Sequence, residues 1–523
     1  MKREPEKLGK ERFDVLVIGG GILGCAIARD AALRGLSVAL VEKDDFASGT
    51  SGRSSKLAHG GLRYLEHGHI MLVRESCRER ERLLKLAPHL VKPLPFLLPH
   101  ESWDGWPPMW MLGIGLTMYD LFAGKTRVAR HKMLGNSDLV VREPNLAGRK
   151  LSGGATYFDA QMDDSRLTLE AAIGSMEAGA VVVNHARVTA FLKTPAGRIS
   201  GAIVRDSISG NEYGVEARIL VNAAGPWGDE LLRLAGRDGR PALMPTKGVH
   251  VVYADPLVSH GMILRAEKDK RVFFMLPWKG MTLIGTTDTE YSGDPGEARA
   301  DAGDIAYLLE AARGALPSAR IDETRVISTF AGVRPLLASG AKHPSAASRE
   351  HAVREGPPGL LSVLGGKFTT FRAIAEQATD AVQARLGGPA APCRTADLPL
   401  PGASNAPAPP AASDAPPDLM RLLSGIYGSR AGQVLEAGRD VPDALSPLCP
   451  HTARLRAEVA HAVRNEMALT LPDILDRRLG ITHATACRGA DCVKPAAEVA
   501  ARLLGWDGKE TAKQIADYSR LSV

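Results

Sequence analysis

Three glycines, Gly19, Gly21 and Gly24, punctuate the run Val15–Gly24 (VLVIGGGILG), between an apolar strand pattern that begins at Phe13 and a helical pattern that opens at Ile22. This is the layout of a dinucleotide pyrophosphate site. The first glycine permits the tight turn, the second lets a diphosphate approach the backbone, and the third lets helix and strand pack closely, so that phosphates meet exposed helix N–H groups. A second strand, Ser37 to Val41, ends in Glu42, eighteen residues after Gly24, where a carboxylate accepts hydrogen bonds from an adenosine ribose without a 2′-phosphate. A chain built round this unit is expected to be α/β, with a Rossmann-type first domain.

The motif alone suits NAD or FAD. No second GxGxxG stands between a strand and a helix, so no place for a nicotinamide partner is evident, and a resident FAD is the better reading. The loop Ala47–Gly61 (ASGTSGRSSKLAHGG) is dense in hydroxyls and glycines and is suited to wrap a pyrophosphate and a flavin edge. Without the strand–turn–helix before it, the same loop would read as flexible surface.

With 523 residues, 45% of them hydrophobic, the chain can bury a large core in two to four domains. A net charge of +6 is too mild for nucleic-acid binding, and no aromatic and basic interleaving suggests a strand-binding platform. It suits an anionic substrate or an acidic lipid surface. Residues 1–12 carry no apolar signal segment, so a cytoplasmic protein is expected. The six cysteines are few and scattered, as expected of reduced thiols. Cys487 and Cys492 could form half of a metal site with Cys449 and His451, but the spacing has no close match to the usual zinc patterns, and no metal is expected.

The most apolar stretch, Met109–Phe122, is too short to span a bilayer and carries Asp120. Lys125, Arg127, Arg130, His131 and Lys132 follow it, so it reads either as a core helix or as a helix lying in a membrane interface with its cations on the phosphates. Beyond it, strands Val181–Val183, Arg187–Leu192, Ile199–Asp206, Glu212–Val215 and Arg218–Val221 predict a meander returning to the dinucleotide sheet. Strands Gly248–Tyr253, Val272–Leu276 and Met281–Gly285 predict an antiparallel layer over the flavin. A further strand, glycine turn and helix start run through Leu360–Arg372, whose helix N-terminus suits the carbonyls of an anionic reduced flavin. Residues 1–386 are thus read as interleaved FAD-binding and substrate domains, with cap strands mainly in about 85–150 and 240–335. Residues 387–417 are Pro- and Ala-rich and read as a linker, and 418–523 as a helical domain, with Leu455, Val459, Val463 and Met467 on one helix face.

Six ordered motifs carry a resemblance: Ser54–Glu66 (SSKLAHGGLRYLE), Met162–Leu167 (MDDSRL), Asn222–Trp227 (NAAGPW), Ile284–Asp288 (IGTTD), Gly332–Leu336 (GVRPL) and Leu364–Thr370 (LGGKFTT). Together they resemble FAD-dependent glycerol-3-phosphate dehydrogenases, from about Asp14 to Arg372, and Arg464–Leu471 (RNEMALTL) is similar to that family's helical C-terminal domain. The resemblance implies a D-amino-acid-oxidase-like arrangement of the first two domains. It implies oxidation of sn-glycerol 3-phosphate to dihydroxyacetone phosphate, with hydride passing from C2 to flavin N5 and electrons passing to a membrane quinone at the inner face of the cytoplasmic membrane. It leaves a homodimer open.

A phosphate dianion needs clustered cations in a dry pocket, and Arg334, Lys367, Arg63 and the hydroxyl of Tyr64 supply a fork, point charges and a directed hydrogen bond. Loss of the substrate hydroxyl proton needs a base. His59 and His250 are the candidates, the resemblance putting the first beside the flavin and the second in the substrate chamber, and the choice between them stays open. Arg334 and Lys367 count as catalytic as well as binding groups. FAD contacts are expected from Gly19, Gly21, Gly24, Glu42, Lys43, Thr50, Ser51, Ser54, Ser55, Leu57, His59, Gly60, Gly61, Val188, Ala223, Gly225, Trp227, Gly332, Gly366, Lys367, Phe368 and Thr369. The competing reading is an oxidase of the same fold, acting on glycerol 3-phosphate, an amine or an amino acid and reducing oxygen to peroxide.

Overall fold

The computed structural model describes residues 1–66, 68–101, 108–124, 127–338, 350–403 and 415–521. Strand Arg12–Ile18 forms where the apolar run predicts it, parallel to Val38–Val41 on one side and to Glu212–Asn222 on the other. The sheet runs in the order His351–Glu355, Leu360–Gly365, Glu212–Asn222, Arg12–Ile18, Val38–Val41, Val181–Val183. Where both faces are covered its central strands read as apolar runs, as in Val15–Ile18, Val38–Val41 and Ile219–Val221. Helices Ile22–Leu33, Asp164–Glu177 and Phe371–Leu386 pack on one face. The meander Ala186–Lys193, Ile199–Asp206 and the start of Glu212–Asn222 closes over the other, where Val188, Ile199, Val204 and Val215 meet Leu16, Ile18 and Val41. Where the sequence suggests two short strands over 212–221, one eleven-residue strand forms. Its first half pairs antiparallel within the meander and its second half parallel to Arg12–Ile18, so it joins the two layers without a break.

Among the described residues the second sheet has ten strands, in the order Thr289–Glu290, Leu243–Tyr253, Met281–Gly285, Val272–Trp278, Gly261–Arg265, Val91–His100, Gly153–Met162, Leu57–Ala58; Val326–Leu337 flanks Leu243–Tyr253, and Lys132–Leu134 flanks Gly153–Met162. It is antiparallel throughout except between Gly261–Arg265 and Val91–His100. Gly153–Met162 lies outside the ranges expected for the cap strands yet pairs along its whole length with Val91–His100.

Helix Met109–Ala123 has two apolar faces. Leu112, Leu116, Tyr119 and Ala123 pack into the second sheet's core, while Trp110 (65% exposed), Ile114 (53%) and Leu121 (70%) face outward. The core and interface readings therefore each hold for one side. Of the cations that follow, Lys125 lies outside the described residues, and Arg130 and Lys132 are exposed. Among the described residues no helix is long and apolar enough to cross a membrane.

Residues 417–521 form helices Pro417–Tyr427, Ala431–Ala437, Arg456–Asn465, Ala490–Leu504 and Gly508–Leu521, with a π-helical turn at Asp473–Arg478. The stretch 387–417 is not loose at its described start. Leu400 is buried and its N–H donates to the Leu86 carbonyl, while Arg29 donates to the carbonyls of Leu398 and Pro399. The helix expected to run through Met467 ends at Asn465, and Met467 takes φ +56°. The cause is electrostatic. Glu466 turns inward to meet Arg166 in a two-pronged ion pair of 2.7 and 2.8 Å, and the Met467 carbonyl accepts from Asn184. A second buried pair joins the same two regions, with the Arg478 guanidinium 2.5 and 2.9 Å from the Asp45 carboxylate oxygens and also donating to the Glu466 carbonyl.

The cysteines are less scattered than their spacing suggests: the sulfurs of Cys449, Cys487 and Cys492 lie within 4.8 Å of one another.

Removing one partner of a fully buried pair leaves the other charge uncompensated, at about 3–5 kcal/mol. Glu466→Ala is therefore expected to lower unfolding stability by that amount in denaturant titration. A loss under about 1 kcal/mol would show that the pair does not carry the junction.

Candidate active site

At Gly19 φ is +116°, and a Cβ there would stand 2.6 Å from the Ala223 carbonyl oxygen. A Cβ on Gly24 would stand 1.8 Å from the Gly19 carbonyl. Only glycine fits either position, so Gly24 acts in helix–strand packing behind the turn and does not itself line the cavity. Glu42 is buried at the end of Val38–Val41. One oxygen accepts from the Gly20 N–H at 2.5 Å and the other from the Asp44 N–H at 2.9 Å. Burial raises its pKa despite these donors. The carboxylate is held rigidly, and each oxygen keeps a lone pair for a ribose hydroxyl.

These groups open onto a cavity of about 500 Å³ between the two sheets. Gly19, Gly21, Glu42, Lys43, Thr50, Ser51, Ser54, Ser55, Leu57, His59, Tyr64, Val188, Ala223, Gly225, Trp227, His250, Gly332, Arg334, Gly366, Lys367, Phe368 and Thr369 all line it. The glycine cradle, the rigid acid and the adjoining apolar and cationic walls fit a dinucleotide carrying a flat ring system. Lys43 lies over the Trp227 ring at 3.8 Å, and the Trp227 indole N–H donates to Asp294.

The structure departs from the sequence reading in three ways. First, the hydroxyls of Thr50, Ser51 and Ser54 are engaged inside the protein. Thr50 donates to the Val333 carbonyl at 2.6 Å, Ser51 accepts from the Ile22 N–H at 3.0 Å, and Ser54 donates to Asp164 at 2.7 Å. They hold the loop in shape. Second, Gly60, Gly61 and Arg63 do not line the cavity. The Gly60 N–H reaches Asp159 and the Tyr119 hydroxyl, and Gly61, at φ +77°, turns the chain so that the ring of Tyr64 fits against it. Arg63 sits half-buried on the short 3₁₀ turn Leu62–Leu65. Third, the sequence reading misses Arg53. It lines the cavity, donates to the Ala331 carbonyl, and burial lowers its pKa. The glycine-rich loop containing it is the only signal in the sequence.

The remaining polar groups form two sets. Arg334, on Val326–Leu337, lies beside Leu243–Tyr253 in register with Thr246. It donates to Asp288 Oδ1 at 3.1 Å and to the Thr286 hydroxyl at 2.8 Å. The Lys367 ammonium stands 3.7 Å from the centre of the Tyr64 ring. His250 is buried, stacked on Phe330 at 4.9 Å, with Nε2 2.8 Å from the Ser55 hydroxyl and Nδ1 without a partner. Burial, then the charges of Arg334 and Lys56, hold its pKa well below the usual histidine value, so the ring is neutral at working pH. The N–H of His59 donates to the Thr369 hydroxyl, and its ring meets Phe274 edge-on at 6.3 Å.

The model for FAD dependent oxidoreductases matches residues 14–381, and that for the C-terminal domain of alpha-glycerophosphate oxidase matches 393–511. A glycerol-3-phosphate dehydrogenase of Mycobacterium leprae is 40% identical over 98% of this chain and 88% of its own length. One from Synechocystis is 36% identical over 99% of this chain and 97% of its own. The structure of a Bacillus halodurans glycerol-3-phosphate dehydrogenase complexed with FAD superposes with a TM-score of 0.83 at 29% identity, covering 99% of this chain and 95% of that one. These likenesses extend along the whole length, and the chain belongs to the FAD-dependent glycerol-3-phosphate dehydrogenases.

Proposed function

We propose that the chain oxidises sn-glycerol 3-phosphate to dihydroxyacetone phosphate and passes the electrons to a membrane quinone. The observation that carries this reading is that a neutral, buried imidazole shares one cavity with Arg334, Lys367 and the dinucleotide turn. FAD, when bound, supplies the acceptor for the C2 hydrogen. Arg334 and Lys367 neutralise the phosphate, and the Tyr64 hydroxyl, on the ring that carries Lys367, adds a directed bond. Asp288 and Thr286 fix the guanidinium before substrate arrives, which lowers the entropy lost on binding.

His250 is the base in this reading. The neutral ring, held at Nε2 by the Ser55 hydroxyl, takes the substrate hydroxyl proton. His59, anchored through its backbone by Thr369, orients the alcohol. Oxygen reduction in place of quinone reduction is the second reading, favoured by the match of 393–511 to an oxidase's C-terminal domain. Peroxide release without added quinone distinguishes it. The outward face Trp110, Ile114 and Leu121, with exposed Met71 and Met133 and the following cations, is the proposed membrane contact, peripheral at the cytoplasmic side.

His250→Asn is expected to slow flavin bleaching by glycerol 3-phosphate about 10²- to 10⁴-fold in stopped flow. A base must be unprotonated, and one with a depressed pKa is protonated only well below pH 6.5. The wild-type rate should therefore stay level through pH 6.5 and fall only at lower pH, and a midpoint near 6.5 would move the role to another group. Arg334→Ala should weaken transition-state binding by about 2–5 kcal/mol in kcat/KM, with FAD retained; unchanged kcat/KM would end its phosphate role. Because Leu112 belongs to the core, the membrane test uses Trp110→Asp with Leu121→Asp. This pair should abolish flotation with anionic liposomes and leave flavin reduction intact, whereas undiminished flotation would remove this helix from the interface.

A further inference from the structure

Three segments of the C-terminal region bring thiols to one point. Cys449 comes from the irregular stretch before helix Arg456–Asn465, Cys487 from the turn after the π-helix, and Cys492 from the first turn of Ala490–Leu504. All three sulfurs lie within 4.8 Å of one another, Cys449 at 2.6 Å from Cys492 and 3.9 Å from Cys487. His451 follows Cys449 by two residues, and its Nε2 stands 3.2 Å from an oxygen of Asp491, the neighbour of Cys492. A ring nitrogen bound to a carboxylate fixes the tautomer and leaves the other nitrogen for a metal, the usual outer arrangement of a ligating histidine.

We propose that Cys449, Cys487 and Cys492 form a mononuclear zinc site, the fourth ligand being His451 once its exposed imidazole, which lies outside the group of sulfurs, turns inward beside Asp491. Three soft sulfurs and one nitrogen are a structural zinc set. Sulfurs gathered within 4.8 Å suit one ion better than a two-iron cluster, whose ligands spread over two metals. On taking the ion, Cys449 and Cys492 would separate to about 3.7 Å, the edge of a tetrahedron with Zn–S bonds of about 2.3 Å. Zinc there would pin an irregular loop and a turn to helix Ala490–Leu504. The Arg488 side chain, one residue from Cys487, donates to the Ile327 carbonyl of the cap strand, so the same staple would steady the contact with the substrate layer.

Elemental analysis of the FAD-loaded protein, purified under reducing conditions without chelator, should give one zinc per chain. Cobalt exchange should give the d–d absorption of tetrahedral, thiolate-bound cobalt at wavelengths longer than the flavin bands. Cys487→Ser, the most accessible of the three, should lose the metal, and Asp491→Asn should weaken its retention about 10- to 100-fold against a competing chelator. Both variants should still bleach their flavin with glycerol 3-phosphate, so failure here is separable from failure of the proposed reaction. Absence of zinc together with no cobalt–thiolate absorption, iron with acid-labile sulfide, or a Cys449–Cys492 disulfide in the unmodified protein would each overturn the site.

Discussion

The approach of Gly24 to the carbonyl of Gly19 is the constraint from which the active cavity follows. A single methyl at Gly24 would overlap that oxygen, so helix Ile22–Leu33 reaches its position against Arg12–Ile18 only with hydrogen there. That position fixes where the helix N-terminus points. It also sets the seat of Phe46, which packs in the same core as Ile22, Val38 and Leu40, and of Glu42 at the tip of the next strand. Ala223 closes the turn from the third strand, its carbonyl 2.6 Å from where a Gly19 side chain would begin. Three strand ends and one helix end are thereby locked to each other before any ligand contributes.

Against that rigid floor, the cap presents charge at a cost. Arg334 and His250 sit on neighbouring strands, and burial beside a guanidinium keeps the imidazole neutral. A cation near a base makes protonation harder, which weakens the base but also keeps it unprotonated through pH 6.5. The phosphate dianion changes this balance as it binds, since it offsets the guanidinium charge and makes the imidazole a stronger proton acceptor once substrate is present. Asp288 tempers the same cation in the free protein, so Arg334 is neither left as an unpaired buried charge nor fully neutralised by its fork.

What was legible in the chain follows from the range of the interactions. Arg12–Ile18, Ile199–Asp206 and Met281–Gly285 could be read from apolar pattern and turn residues because both signals are local. Many cavity residues, though not Arg53, were legible as motifs, because glycine, histidine and cation recur in short ordered segments. Three features were not. Met109–Ala123 is apolar on both faces, and periodicity cannot say that Leu112 turns inward while Trp110 turns out. Thr50, Ser51 and Ser54 look like ligand groups in sequence, yet their partners are Val333, Ile22 and Asp164, of which two are far along the chain. Cys449 lies thirty-eight residues from Cys487, and no local rule brings them together.

The end of helix Arg456–Asn465 shows how a long-range charge can override a local pattern. Continued helix would have placed Met467 on the apolar stripe with Val459 and Val463 and left Glu466 on the wrong side of the turn. Instead the chain accepts a left-handed Met467 and so brings Glu466 to Arg166, at the heart of the packing between the C-terminal helices and Asp164–Glu177. An apolar contact of the same size would be at least as stable, but it would tolerate sliding. A two-pronged ion pair in a dry setting does not, because a shift of an ångström strands a charge. Asp45 with Arg478 repeats the device a short distance away, and Asp45 belongs to the segment directly after Glu42. The C-terminal helices are therefore registered against the very loop that leads from the ribose acid into the cavity, which makes the position of that loop a property of the whole chain.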